Sequence, residues 1–335
     1  MNLSTNYMGL GLRNPLVASP SPLSYTLDGI RRLADGGVGA IVMFSLFEEQ
    51  LRDEAERAIR LVEEPAESFP EALGYFPALA EEDGSPRSYL VLLERAVAAV
   101  DIPVIASLNG VTSEGWTEYA RAMQDAGAAA IELNIYYLPG DPEISGRDVE
   151  QRHIEVLEHV RSAVTVPVAV KLSPYFSSPG EIALRLAEAG ADALVLFNRF
   201  LQPDIDPEDL AVSPRVNLSS PADARLSRTW IALLRERMTA SLAATSGVEV
   251  AADVAGYLLA GADVVMTASA LLRHGPRYAS DLLEGLTTWM ERKGFQTLDQ
   301  VRGRLAVPVD ADPAVYERAS YVTAIRAANA GVYTP

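Results

Sequence analysis

Four segments of the chain leave a helix and enter a strand in the same way: Gly36-Gly37-Val38-Gly39-Ala40-Ile41-Val42, Ala126-Gly127-Ala128-Ala129-Ala130-Ile131-Glu132-Leu133, Ala189-Gly190-Ala191-Asp192-Ala193-Leu194-Val195 and Ala260-Gly261-Ala262-Asp263-Val264-Val265. In each, a glycine suits the left-handed position after a helix, and the short apolar run behind it fits a strand buried on both faces. A second kind of strand start, Asp101-Ile102-Pro103-Val104-Ile105-Ala106 and Thr165-Val166-Pro167-Val168-Ala169-Val170, alternates with the first. The alternation reads as two βα units per repeat. Strands are then expected near 15–19, 39–45, 103–108, 129–135, 166–172, 192–198, 240–245 and 263–267, with amphipathic stretches such as 27–34, 116–125, 154–163 and 182–189 between them. Eight alternating units predict an α/β fold closed as a (β/α)8 TIM barrel, since a doubly wound sheet calls for about five or six strands.

Residues 46–88 and 199–222 exceed the minimal unit. They follow the second and sixth strands, so they are expected as insertions over the C-terminal mouth, where barrels build their sites. The barrel is expected to span 1–305, with 306–335 as a C-terminal extension packed on the barrel or on a partner. Of the 335 residues 49% are hydrophobic and 22% charged, enough to bury a core of this size and to exclude disorder over most of the length. A formal charge of -17 argues against a nucleic acid or an anionic membrane as partner. No apolar run approaches the ~18 residues of a spanning helix, and a cytoplasmic homo-oligomer is expected. Cysteine is absent, which removes disulfides, thiolate metal ligands and a catalytic thiol. His153, His159 and His274 have no i, i+4 pairing, and no metal site is expected.

Polar residues at the C-terminal ends of barrel strands point to a common mouth. Here those ends read Ser19, Phe44-Ser45, Asn109, Asn134, Lys171, Asn198, Thr245-Ser246-Gly247 and Thr267-Ala268. Only two of the 28 basic residues are lysines, Lys171 and Lys293, so a lysine inside an apolar strand calls for a reason. Three amides and one ammonium suit a planar heterocycle with carbonyl oxygens and ring nitrogens, because amides both donate and accept. The small residues after strands seven and eight leave room for a phosphate on backbone N–H groups. Asparagines that merely terminate strands, and small residues that merely turn a loop, are the plainer alternatives.

At these positions the chain resembles the flavin-dependent dihydroorotate dehydrogenases, more the soluble class 1 enzymes than the membrane class. The resemblance runs to about residue 305 and rests on Asn14-Pro15-Leu16-Val17-Ala18-Ser19, Ile131-Glu132-Leu133-Asn134, Val170-Lys171-Leu172-Ser173-Pro174-Tyr175-Phe176, Leu218-Ser219-Ser220-Pro221-Ala222 and Leu258-Leu259-Ala260-Gly261-Ala262. It implies FMN as cofactor, with Lys171 on the flavin ring, Asn134 and Asn198 facing flavin and pyrimidine, Asn109 at a flavin-contact turn, and Ala18, Ser19, Ser220, Thr245, Ser246, Gly247, Thr267 and Ala268 forming the FMN cradle. The family's Ser-Cys-Pro-Asn loop, whose cysteine is the general base, is replaced by Ile135-Tyr136-Tyr137-Leu138-Pro139-Gly140, and its Lys-Ser after strand two by Phe44-Ser45. Tyr137 or Tyr136 is the titratable candidate left in that loop, and Lys171 with Tyr137 make up the expected catalytic pair.

The reading is an FMN-dependent oxidoreductase acting on CH–CH groups of a small planar carbonyl or pyrimidine-like substrate held by Asn134 and Asn198, with little or no activity on dihydroorotate. Its electron acceptor would be a redox partner protein or a small molecule. A non-catalytic barrel serving as a binding or partner subunit is the alternative, and a lyase using Lys171 as a Schiff-base amine a third reading.

Overall fold

The computed structural model describes residues 1–50, 85–110, 116–137, 139–199, 204–213, 217–312 and 320–327. A hairpin of β1 (Thr5–Tyr7) and β2 (Leu10–Leu12) precedes the first barrel strand, β3 (Leu16–Ala18). The parallel strands that follow are β4 (Ala40–Phe47), β5 (Val104–Gly110), β6 (Ala130–Ile135), β7 (Val168–Leu172) and β8 (Ala193–Leu196). An antiparallel hairpin, β9 (Asp204–Asp206) with β10 (Ala211–Ser213), then interrupts the alternation before β11 (Ser241–Ala244) and β12 (Val264–Thr267) complete it. The eight strands β3, β4, β5, β6, β7, β8, β11 and β12 close in that order into a barrel. This is the (β/α)8 TIM barrel expected from the repeats.

Helices α1 (Leu27–Asp35), α2 (Pro86–Ala99), α3 (Trp116–Asp125), α4 (Gly146–Ala163), α5 (Pro179–Glu188), α6 (Ala224–Leu234) and α7 (Ala251–Ala260) surround it. The short α8 (Ser269–His274) leads into α9 (Tyr278–Lys293), and α10 (Ser320–Ala327) follows near the C-terminus. The helices form because their apolar residues recur at helical spacing and their ends are capped: Thr26, Ser85 and Ser145 each accept a backbone N–H from the first turn of α1, α2 and α4. Ile30 and Leu33 of α1, Leu93 of α2 and Leu157 of α4 are fully or nearly fully buried against the outer faces of the strands. Each such side chain contributes about 1.5–3 kcal/mol.

A second core fills the barrel itself. Alternate residues point inward, and several are small: Ala40, Ala130, Ala169, Ala193 and Ala243. The space they leave is taken by Tyr7, Met8 and Leu12 of the N-terminal hairpin, which plugs the end opposite the site. The hairpin is tied down by Met8 N–H to the Ser241 hydroxyl (3.1 Å) and by the Thr5 hydroxyl to the Asp263 carbonyl (2.9 Å).

Strand ends shift slightly from the sequence expectation. β4 runs two residues past the expected end at 45, because its parallel pairing with β5 continues through Leu46 with Leu108 and Phe47 with Asn109 beyond an irregularity between Val42 and Ser45. The first insertion therefore begins in strand, and residues 51–84 of it lie outside the described residues. The second insertion carries β9 and β10, with 200–203 and 214–216 outside the described residues. In the C-terminal extension Val307 is buried and its N–H donates to the Ala232 carbonyl, whereas Tyr321 to Ala327 are exposed.

Candidate functional site

Parallel register brings the expected polar residues together at one end of the barrel. Asn109 pairs with Asn134 across β5 and β6, and Asn134 with Lys171 across β6 and β7. All three are buried, with 7–8% exposure. Asn198, two residues past β8, is held by its N–H to the Leu172 carbonyl (2.7 Å) and donates from Nδ2 to Asn134 Oδ1 (2.7 Å). Asn134 Nδ2 and Asn198 Oδ1 keep no partner among the described residues, so the pair offers one donor and one acceptor to a ligand. Lys171 Nζ stands 3.4 Å from Glu132 Oε1, and Glu132 is completely buried one inward position earlier on β6.

Beside these residues lies a cavity of about 280 Å³ at the C-terminal mouth. Ser19, Lys171, Asn198, Thr245, Ser246, Thr267 and Ala268 line it, seven of the positions singled out from the sequence. Ser19 Oγ is buried there with no hydrogen-bond partner, an orphan that a ligand acceptor or donor would satisfy. The wall after β11 is a tight turn. Ser246 (φ 78°) and Gly247 (φ 68°) both sit in the left-handed region, and a Cβ on Gly247 would stand 2.6 Å from Ala224 N and 2.7 Å from the Ser220 carbonyl. Tyr257 of α7 pins this turn with its hydroxyl, 2.7 Å from the Ser246 carbonyl and 3.1 Å from that of Thr245. Burial pushes the Tyr257 phenol up, so it stays a donor. The amides of Ser246 and Ala268, both in the cavity wall, donate to no main-chain acceptor among the described residues, which leaves them for an anion.

Other expected positions take different places. Ala18 is buried on the helix-facing side of β3 and does not line the cavity. Asn109 and Asn134 flank the cavity without lining it. Ser220 does not line it either: its amide is already given to Asp223 Oδ2 (2.7 Å), in the cap of the 3-10 turn Pro221–Asp223 that leads into α6. Gly247 lies behind the wall and serves by letting the turn pack against Ser220. Tyr137 is half-buried with the Arg152 guanidinium 4.2 Å above its ring, and it too is absent from the cavity wall. Behind that loop, His153 is buried with Nδ1 2.7 Å from the Val149 carbonyl and its ring edge-on to Phe176. Burial pushes its pKa down, so it is neutral at pH 7.

Sequence reasoning missed several residues of the cavity. Ser219 and Ser269 hydroxyls bond at 2.9 Å and both line it, as do Arg199 and Met266. Arg199 and Ser269 lie beside loops with no local pattern, Ser219 stood in the Leu218–Ala222 motif without being singled out, and Met266 lies within the apolar run of β12. Glu132 had a signal, a carboxylate in an apolar strand on the same face as Asn134. Phe44, where a lysine was expected, stacks edge-on between Tyr25 (4.6 Å) and Tyr89 (5.0 Å), so an aromatic cluster stands at the end of β4.

Among the described residues no helix is long and apolar enough to cross a membrane. A dihydroorotate dehydrogenase B (NAD(+)), catalytic subunit, of Methanocella arvoryzae is 28% identical over 306 residues, covering 90% of this chain and 97% of the relative. The corresponding catalytic subunit of Methanothermobacter thermautotrophicus is 25% identical, over 90% and 97%. The NAD-dependent dihydropyrimidine dehydrogenase subunit PreA of Escherichia coli K12 is 26% identical, over 90% of this chain and 76% of its own length. The family model for dihydroorotate dehydrogenase matches residues 2–290, which takes in every barrel strand and every polar strand end described above, and the chain belongs to that family of oxidoreductases.

Proposed function

We propose that this chain is an FMN-dependent oxidoreductase acting on a CH–CH bond of a small planar carbonyl or pyrimidine-like substrate. The observation that carries the reading is the meeting of Lys171 and Asn198, the latter bonded to Asn134 at the cavity's flank, on a cavity whose opposite wall is made of the small loops after β11 and β12. The residues present fit FMN on three counts. Ser19 Oγ is an orphaned buried group in the wall, the loop amides are unengaged by main chain, and the Ser246-Gly247 turn is held open by its backbone conformation and by Tyr257. Ser246, Thr267 and Ala268 would hold the phosphate side, with Gly247 shaping the turn behind them, and Lys171 would meet the ring.

FMN supplies, when bound, a two-electron acceptor for a hydride. Lys171 places an ammonium where negative charge on a ring edge is stabilised. Asn134 Nδ2 and Asn198 Oδ1 orient a substrate carbonyl and ring N–H, and their mutual hydrogen bond fixes both amides before binding. The proton that leaves the substrate carbon needs an acceptor, and Tyr137 is the candidate that follows β6. It would have to turn from beneath Arg152 to meet substrate. Electrons would pass to a partner protein or small acceptor in the cytoplasm, in keeping with relatives that are named as subunits. The position of Tyr137 away from the cavity favours, as a second reading, a barrel that binds FMN within a redox complex without turning over alone.

The test is the absorption spectrum of the purified chain after incubation with FMN, paired with Lys171→Met. About one FMN per chain, with affinity at least tenfold weaker or flavin reduction at least tenfold slower in the variant, supports the reading. No FMN uptake, or a variant unchanged in both respects, overturns it. Flavin reduction by a dihydropyrimidine without a partner present separates the enzyme from the second reading.

A further inference from the structure

The Lys171 ammonium has a partner that the reading above leaves idle. Glu132 faces the barrel interior two residues before Asn134, is fully buried, and sets Oε1 3.4 Å from Lys171 Nζ, while Oε2 has no hydrogen-bond partner. Its neighbours across the sheet are small: Ser107 on one side, itself bonded to Ser45 (2.8 Å), and Ala169 on the other. Nothing in the packing at this level calls for a carboxylate, and a buried one is costly unless a cation answers it. Beneath it Tyr7 also keeps an unpartnered hydroxyl, and burial together with the Glu132 charge holds that phenol protonated. The only cation within ion-pair reach of Glu132 among the described residues is the lysine at the cavity floor.

We infer that Glu132 is the positioning residue for Lys171, fixing its ammonium at the floor of the cavity and offsetting part of its charge, so that a bound flavin meets a placed donor rather than an unpaired cation. This rests on the FMN reading of the site. An unpaired cation beside the ring favours the reduced, more negative flavin over the oxidised one. The carboxylate therefore tempers how strongly this site pulls electrons, and the ion pair, not the lysine alone, sets the balance.

Glu132→Gln keeps the shape and removes the charge. On FMN-loaded protein it should raise the affinity for reduced relative to oxidised flavin about tenfold, read as a rise of about 30 mV in the two-electron midpoint potential. In a Lys171→Met background the same substitution should shift the potential less than a third as far, because the carboxylate then has no ammonium to place or offset. A purely structural role would lower stability without moving the potential. Should Glu132→Gln not fold, Glu132→Asp gives the measurement: the charge is kept but drawn back by one methylene, and FMN affinity should fall at least threefold. FMN uptake by the unsubstituted chain, with Glu132→Gln unchanged in potential, equally shifted with or without Lys171, or with Glu132→Asp unchanged in affinity, overturns this inference alone. No uptake by the unsubstituted chain overturns the cofactor reading and the inference with it.

Discussion

Gly247→Ala should cost more than the same substitution at a left-handed glycine whose added Cβ meets open space, and the size follows from two separable terms. The first is conformational: at φ 68° an alanine is strained by about 1–2 kcal/mol, less the ~0.4–1 kcal/mol by which alanine restricts the unfolded chain. The second is contact. The new Cβ would stand 2.6 Å from Ala224 N and 2.7 Å from the Ser220 carbonyl, both backbone, so no side chain can swing aside. The start of α6 would have to move, at a cost of about 1–3 kcal/mol. Gly294 isolates the first term, because it caps α9 at φ 79° with nothing within 4 Å of its added Cβ. Gly294→Ala is expected to lose about 0.5–1 kcal/mol and Gly247→Ala about 2–4 kcal/mol. With an unfolding entropy near 2.1 cal/mol/K per residue, the 335-residue chain has about 0.7 kcal/mol/K, so the two variants should melt about 1 °C and about 3–6 °C lower. Urea unfolding at 25 °C reads the same difference. Gly247→Ala should also weaken FMN binding at least tenfold, since the displaced turn carries the Ser246 amide in the cavity wall, whereas Gly294→Ala leaves it alone. Equal stability losses in the two variants would refute the contact argument, and an unmoved flavin affinity in a destabilised Gly247→Ala would refute the placement of the cradle.

Two further outcomes follow from the site. His153 is held neutral by burial, so its folded-state pKa lies below the unfolded value near 6.5. Below pH 6.5 the unfolded chain then binds more protons than the folded one, and the stability contributed by this residue is lost as pH falls, by up to ~1.4 kcal/mol per unit. His153→Leu should flatten the difference in stability between pH 7 and pH 5 by about one such proton, measured by urea titration, and identical slopes would sink the assignment. Dihydroorotate should reduce FMN on this chain poorly or not at all under anaerobic conditions, because the sequence holds no cysteine and positioned general-base catalysis is worth about 10² to 10⁴ in rate. Rapid bleaching would show that another group has taken the thiol's place, and Tyr137→Phe would then identify or exclude the phenol.

The barrel was legible because its signals are local. A glycine after each of four helices, followed within two or three residues by a short apolar run, is enough to mark strand entry, and the alternation with Pro103 and Pro167 gives the count. The polar strand ends were legible for a related reason, since a closed parallel barrel sends every such end to one mouth whatever the loops do. The N-terminal hairpin was not, although Tyr7 and Leu12 complete the interior, because three-residue strands carry too little periodicity to be seen and their burial depends on alanines far along the chain.

Within the site, residue types were set by the chain and their partnerships by the closure of the barrel. Asn198 meets Asn134 across 64 positions and Lys171 meets Glu132 across 39, pairs that parallel register creates and that no window along the sequence contains. Ser220 illustrates the converse: a serine suited to a phosphate cradle spends its amide on Asp223, three residues away, in the cap of the 3-10 turn Pro221–Asp223 that leads into α6. Tyr137 follows the right strand, yet a guanidinium from α4 lies over its ring. Strand and helix identity is decided by a few neighbouring residues, so the sequence by itself determined the barrel and which polar groups ring its mouth. Hydrogen bonds and ion pairs form only where distant elements come within about 3 Å, so which of those groups are left free for a ligand was decided by the tertiary structure alone.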